Sequence, residues 1–180
     1  MEDREVVQLL RLYRHDVMNQ LQLINGYISM NKPEMVQEKI ADYNTYIHEE
    51  QKLMNLNAHS FTLWLIFFNA NHANMHITYE INLRDAKLSD VDTLLKTQCE
   101  KVFDYFNDHV PDTNYCEGHL SLGVDQETSL LKTSIAINGE FQAVDENHVK
   151  QLQGISRLQL KKTNSGMQCD FLLPLHNEVE

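Results

Sequence analysis

Apolar residues recur at alternating steps of three and four from the beginning of the chain: Val6, Leu10, Tyr13, Val17, Leu21, Ile24 and Ile28. That spacing is the seam of a helix in a bundle or coiled coil. The pattern stops near Asn31-Lys32, where Pro33 and Glu34 suit the first turn of a second helix. Val36, Ile40, Tyr43, Ile47 and Met54 then carry the same period. So short a connection makes the two helices antiparallel neighbours. A lone hairpin cannot enclose its own seam, so a second copy is expected to complete a four-helix bundle about a two-fold axis. The expectation is a homodimer.

Beyond residue 57 the periodicity mixes. Thr62 to His72 reads as a short apolar helix, and Met75, Ile77, Tyr79, Ile81 and Leu83 alternate as a half-buried strand. Val91, Leu94, Leu95, Val102, Phe103 and Phe106 return to helical spacing, predicting a helix over 89–109. Leu120, Leu122 and Val124 pair as a hairpin with Leu131, Thr133, Ile135 and Ile137; a helix near 144–152 follows. Two last strands meet around Thr163-Asn164-Ser165-Gly166, the second carrying Met167, Cys169, Phe171, Leu173 and Leu175. Strands with one apolar face and amphipathic helices make a two-layer α/β sandwich. The chain is therefore expected to be α+β, with a helical hairpin over 1–57 and a sandwich over 58–180.

Composition narrows the function classes. The formal charge is −11, which disfavours nucleic acid because phosphate neutralisation needs clustered Lys and Arg. Three cysteines, widely spaced and without a CxxC pair, fit a reducing cytoplasm better than a disulfide framework. The sequence opens without a basic, then apolar, leader. Its longest apolar run, Phe61 to Phe68, is far below the roughly 20 residues needed to cross a bilayer. A cytoplasmic protein, not embedded in a membrane, is expected.

One histidine stands apart. Stepping by three or four along the first helix from His15 gives Arg4, Gln8, Arg11, His15, Asn19 and Gln22, all polar. At about 100° per residue this row lies nearly opposite Tyr13 and Val17, which places His15 in solvent on a helix backed by a bundle. An exposed histidine is most often plain surface. A rigidly backed imidazole is also what a phosphoryl acceptor requires, since the incoming group must only be brought up in line.

The stretch Arg14-His15-Asp16-Val17-Met18-Asn19-Gln20-Leu21-Gln22 resembles the phospho-acceptor motif of the sporulation initiation phosphotransferase B family. The citrate- and fumarate-type sensor histidine kinases carry a related His-Asp-x-x-Asn-x-Leu motif. The layout is similar too: helical hairpin first, compact α/β domain second. The resemblance implies that His15 accepts the phosphoryl group, that Asn19 orients the ring or touches the phosphoryl group, and that Arg14 and Asp16 balance charge, position the ring or meet the partner. It implies response-regulator receiver domains as partners, with phosphate passing from one regulator's aspartate to another's. Mg²⁺ is then expected on the receiver, with no cofactor bound by this chain.

The related kinases follow their hairpin with an ATP-binding sandwich that needs an Asn-bearing helix, a DxGxG turn and a second glycine-rich loop. Here the corresponding helix reads Glu100-Lys101-Val102-Phe103-Asp104-Tyr105-Phe106-Asn107, and the first turn reads Ile137-Asn138-Gly139-Glu140-Phe141. With six glycines and no G-x-G array, the sandwich reads as a histidine-kinase-ATPase-like domain lacking a nucleotide site. The rival readings are a receiver-binding module that is never phosphorylated and a divergent ATP-dependent kinase. Among other signals, His59, His72 and His76 lack the glutamate of a metalloprotease motif, and no metal site is expected. Trp64 reads as a core anchor. Glu49-Glu50 and Glu178-Val179-Glu180 read as solvated surface.

Overall fold

The computed structural model describes residues 3–72, 74–84, 86–109, 115–139, 152, 154–155 and 157–175. The chain divides into two compact units, Met1–Gln51 and Lys52–Glu180.

The first unit is a helical hairpin of α1 (Asp3–Ser29) and α2 (Pro33–Met54, whose last turn belongs to the second unit). The reversal is a left-handed cap. Asn31 takes φ 54°, and the Lys32 amide donates to the Tyr27 carbonyl at 3.0 Å. Asn tolerates that backbone better than most side chains because its short polar group bonds locally. Pro33, which lacks the amide that the first helical turn leaves unused, starts α2 at once. The seam residues Val6, Val17, Ile24, Val36, Tyr43 and Ile47 are half-buried. Leu10, Tyr13, Leu21 and Ile28 remain largely exposed, Leu10 at 62%. The hairpin thus leaves much of its apolar stripe uncovered.

Among the described residues the second unit packs two helices on a five-stranded sheet of order β1-β2-β3-β5-β4. The strands are β1 (Met75–Ile81), β2 (Cys116–Val124), β3 (Leu131–Asn138), β4 (Gln159–Lys162) and β5 (Gly166–Leu173). The helices are α3 (His59–Asn71) and α4 (Asp92–His109), with a 3₁₀ turn at Ser89–Val91. β1 and β2 are parallel, joined through α4, as parallel strands require a crossover. The other pairings are antiparallel, with Leu120 opposite Ile135 and Ile135 opposite Cys169. The hairpin expected at residue 120 begins earlier, at Cys116. The turn between β4 and β5 closes with Thr163 N donating to Gly166 O at 2.9 Å. The helix expected near 144–152 lies outside the described residues, except Leu152.

Alternation sends Met75, Ile77, Leu120, Leu122, Ile135, Ile137, Cys169 and Phe171 into one core with Leu53, Phe61, Leu65, Leu95, Phe103 and Phe106. Trp64 is half-buried, its ring 5.8 Å from Phe61, 5.6 Å from Phe68 and 5.7 Å from Phe103, so it anchors α3 against α4 as expected. Two polar side chains do backbone work here. Asp92 accepts hydrogen bonds from Ser60 N at 2.9 Å and Phe61 N at 2.8 Å, capping α3 where its own N-cap, Ala58, has no side chain to do so. Asn69 donates to Ile77 O at 2.8 Å and accepts from Ile77 N at 2.7 Å. Its amide thereby stands in for a neighbouring strand along the edge of β1.

Candidate functional site

His15 lies in the middle of α1, and every member of its row (Arg4, Gln8, Arg11, Asn19 and Gln22) is exposed with it. The side chain of His15 is 69% exposed and that of Asp16 76%. The helical backbone brings three of the four candidate residues together. His15 Nδ1 lies 3.3 Å from Asp16 Oδ1, and Asn19 Nδ2 lies 3.3 Å from the same nitrogen. Asn19 is one turn on, the neighbour that i, i+4 spacing places on the same face. Arg14 is exposed, and among the described residues its guanidinium makes no hydrogen bond or ion pair. Nε2 of His15 likewise has no partner among the described residues.

The imidazole is therefore held at one nitrogen and open at the other. An ionised carboxylate accepts only, so the contact with Asp16 requires a proton on Nδ1. That tautomer carries its lone pair on Nε2. The amide of Asn19 serves either polarity, since a half-turn exchanges its oxygen and nitrogen.

α2 passes Tyr43, Tyr46 and Glu50 close to this part of α1. Tyr43 and Tyr46 stack with ring centroids 6.2 Å apart. Burial, and then the carboxylates of Glu50 and Asp16, push the Tyr46 phenol up to about 12. Burial also raises Tyr43, helped by Tyr13, Glu50 and Asp16. Both phenols keep their protons at neutral pH, so neither serves as a base.

Glu50 corrects an expectation. Read as solvated surface, it is 4% exposed, and burial raises its carboxyl above the usual range. The signal was in the spacing: Glu50 falls three residues after Ile47 and four before Met54, a seam position filled by a carboxylate. Glu49 is half-buried, and Glu178-Val179-Glu180 lies outside the described residues.

Among the described residues no three His, Cys, Asp or Glu side chains converge to hold a metal. His72 caps α3, with Nδ1 2.8 Å from the Phe68 carbonyl and its ring 3.9 Å from Phe68, while His76 is exposed on β1. Cys99, Cys116 and Cys169 are free and buried. No helix among the described residues is long and apolar enough to cross a membrane.

Two family models match. Residues 1–56 match the Sensor kinase SpoOB-type alpha-helical domain, and residues 57–167 match the C-terminal domain of sporulation initiation phosphotransferase B. The sporulation initiation phosphotransferase B of Bacillus subtilis (strain 168) is 32% identical over 139 residues, 76% of this chain and 71% of that protein. The chain belongs to the sporulation initiation phosphotransferase B family. This phosphotransferase B fold is α+β, as the periodicity predicted. Its architecture matches the Erythrobacter litoralis EL346 blue-light activated histidine kinase at a TM-score of 0.50 and 15% identity, over 96% of this chain and 59% of the kinase. The separate kinase domain of that protein gives 0.49 at 14% identity over 89% of this chain and 96% of the domain. Membership places the chain among phosphotransferases of phosphorelay, two-component signalling.

Proposed function

We propose that the chain relays a phosphoryl group between the aspartates of two response-regulator receiver domains, carrying it on Nε2 of His15. The observation that carries this reading is the imidazole itself, with Nε2 free of partners among the described residues and Asp16 and Asn19 each 3.3 Å from Nδ1. In the first step the Nε2 lone pair attacks the phosphorus of the donor's aspartyl phosphate. The N–P bond forms, the acyl C–O–P link breaks at P–O, and the donor leaves as a carboxylate. In the second step the acceptor's carboxylate attacks the same phosphorus and imidazole departs. The proton on Nδ1 stays in place throughout, so the relay needs no separate acid or base. The transition state is loose and its charge lies on the equatorial oxygens, so positioning supplies most of the rate. Arg14, exposed beside the row, offers a cation to that charge or to the partner surface. Mg²⁺ belongs to the receiver's acidic pocket, and this chain is assigned no cofactor.

The uncovered stripe of Leu10, Tyr13, Leu21 and Ile28 supports a homodimer through a four-helix bundle, which would hold both copies of His15 on rigid helices. The sandwich domain is assigned no nucleotide.

The test mixes the protein with a ³²P-labelled phosphorylated receiver domain and Mg²⁺. Acid-labile, base-stable label is expected on this chain and none on His15→Gln. Receiver binding without label would replace the relay by a binding module. Label from ATP with the protein alone would replace it by a kinase.

A further inference from the structure

The face of the sheet away from α3 and α4 carries a cavity of about 390 Å³ beside β4. Asp125, Lys132, Arg157, Leu158, Gln159 and Asp170 line it, with Leu172 and Phe171 completing the wall. That volume lies within the range of small-molecule sites, roughly 300–1,000 Å³. The Lys132 ammonium is near enough to Asp125 to help hold that carboxyl below the usual range. Among the described residues neither Lys132 nor Arg157 forms an ion pair or hydrogen bond. Asp125 is committed inside the β2–β3 turn, accepting from Thr128 Oγ1 at 2.7 Å and Thr128 N at 2.9 Å, bonds that hold its carboxyl below the usual range.

Asp170 differs. It is 9% exposed, and Gln168 Nε2 donates to its Oδ1 at 2.9 Å. Among the described residues its second oxygen takes no hydrogen bond from the protein. A carboxylate oxygen binds a donor that brings positive charge more strongly than it binds a neutral one. Lys132 and Arg157 stand in the same wall. Arg157 has a left-handed backbone, φ 51°, uncommon for a residue that is not glycine.

We propose that this cavity binds a free amino acid, its carboxylate on Arg157 and Lys132 and its ammonium on Asp170. The two cations and two carboxylates lining the wall make it formally neutral. A ligand of net charge would leave one sign unmatched, whereas a zwitterion meets both. A guanidinium takes a carboxylate through two parallel N–H bonds, which fixes the ligand's orientation. Leu158 and Leu172 offer apolar surface to a side chain. The site is independent of His15 and of the phosphoryl-transfer reading.

The test is ¹⁵N–¹H titration of the full chain with L-alanine and L-glutamine, beside acetate, N-acetyl-L-alanine, L-alaninamide and alanyl-alanine. Saturable shifts centred on residues 157–172 are expected for the two amino acids. Blocking either charge, or separating the charges in the dipeptide, is expected to weaken binding by about tenfold or more. Asp170→Asn and Arg157→Gln should each weaken it comparably. Arg157 is exposed, so its variant keeps the native melting temperature and serves as the control for folding. Amino acids that give no saturation up to about 20 mM, blocked forms that bind equally, or variants that titrate like the native chain each overturn the proposal.

Discussion

Asp16→Asn separates two ways in which a carboxylate beside the acceptor histidine can act. If Asp16 only biases the imidazole toward the tautomer with a proton on Nδ1, its worth is that of one exposed charge-assisted contact. The contact is 3.3 Å long, between side chains 69% and 76% exposed. Surface pairs of that kind are worth about 0–1 kcal/mol, because water competes for both groups and holding them costs entropy. A bias of about 1 kcal/mol changes the population of the reactive tautomer, and hence the rate, by about fivefold at most. Without that bias, neutral imidazole still populates the tautomer with its proton on Nδ1, so the nucleophile is never lost. Single-turnover transfer from a labelled receiver, quenched at short times, should show His15→Gln inactive and Asp16→Asn slowed by no more than about fivefold. Receiver affinity, followed separately, should stay within about threefold. A loss of a hundredfold or more in Asp16→Asn with affinity unchanged would refute this account, requiring Asp16 to touch the reacting group or move its proton.

Further outcomes follow from contacts elsewhere. Asp92→Ala removes both acceptors that cap α3 and should cost about 1–3 kcal/mol by chemical denaturation, with Asp92→Asn losing less because one oxygen remains. Gly166→Ala drives a Cβ into the Ile137 carbonyl oxygen in the β3–β5 pairing, and should cost about 3 kcal/mol or prevent folding of the second unit. Glu50 binds its proton more tightly folded than unfolded, so its contribution is fully present below the unfolded carboxyl range and is lost as pH rises through the raised folded value. Glu50→Gln should therefore flatten stability across mildly acidic pH and raise the melting temperature at pH 7; an unchanged pH slope would count against the burial of that carboxylate. Burial raises Cys99 well above the usual thiol range and pushes Cys169 up to about 12. With Cys116 also buried, a thiol-specific reagent at pH 8 should modify the native protein no faster than it unfolds, and three thiols should react in denaturant.

The hairpin was legible because its period is local. Steps of three and four define α1 and α2, and Asn31, Lys32 and Pro33 supply the turn chemistry between them. The exposed row through His15 follows from the same arithmetic, since helical geometry alone fixes which side chains share a face. Strands β1, β3 and β5 showed themselves by strict alternation. The first residues of β2 did not: Glu117 and His119 are polar and Gly118 has no side chain, and their pairing with β1 and β3 makes them strand. Glu50 looked like surface because charge outweighs spacing in a sequence reading, while burial is set by what surrounds the position. No local pattern tied Asp92 to the start of α3, or Asn69 to the edge of β1, because each contact needs two segments brought together by the core. The cavity beside Asp170 is of the same kind: β2–β3, β5 and the segment before β4 each contribute a wall, so only the folded sheet assembles it. The sequence by itself determined periodicity, turn chemistry and the facing of His15, because these depend on neighbours a few residues apart. Tertiary structure decided which polar groups are buried and which distant ones meet, because both depend on the packing of the whole chain.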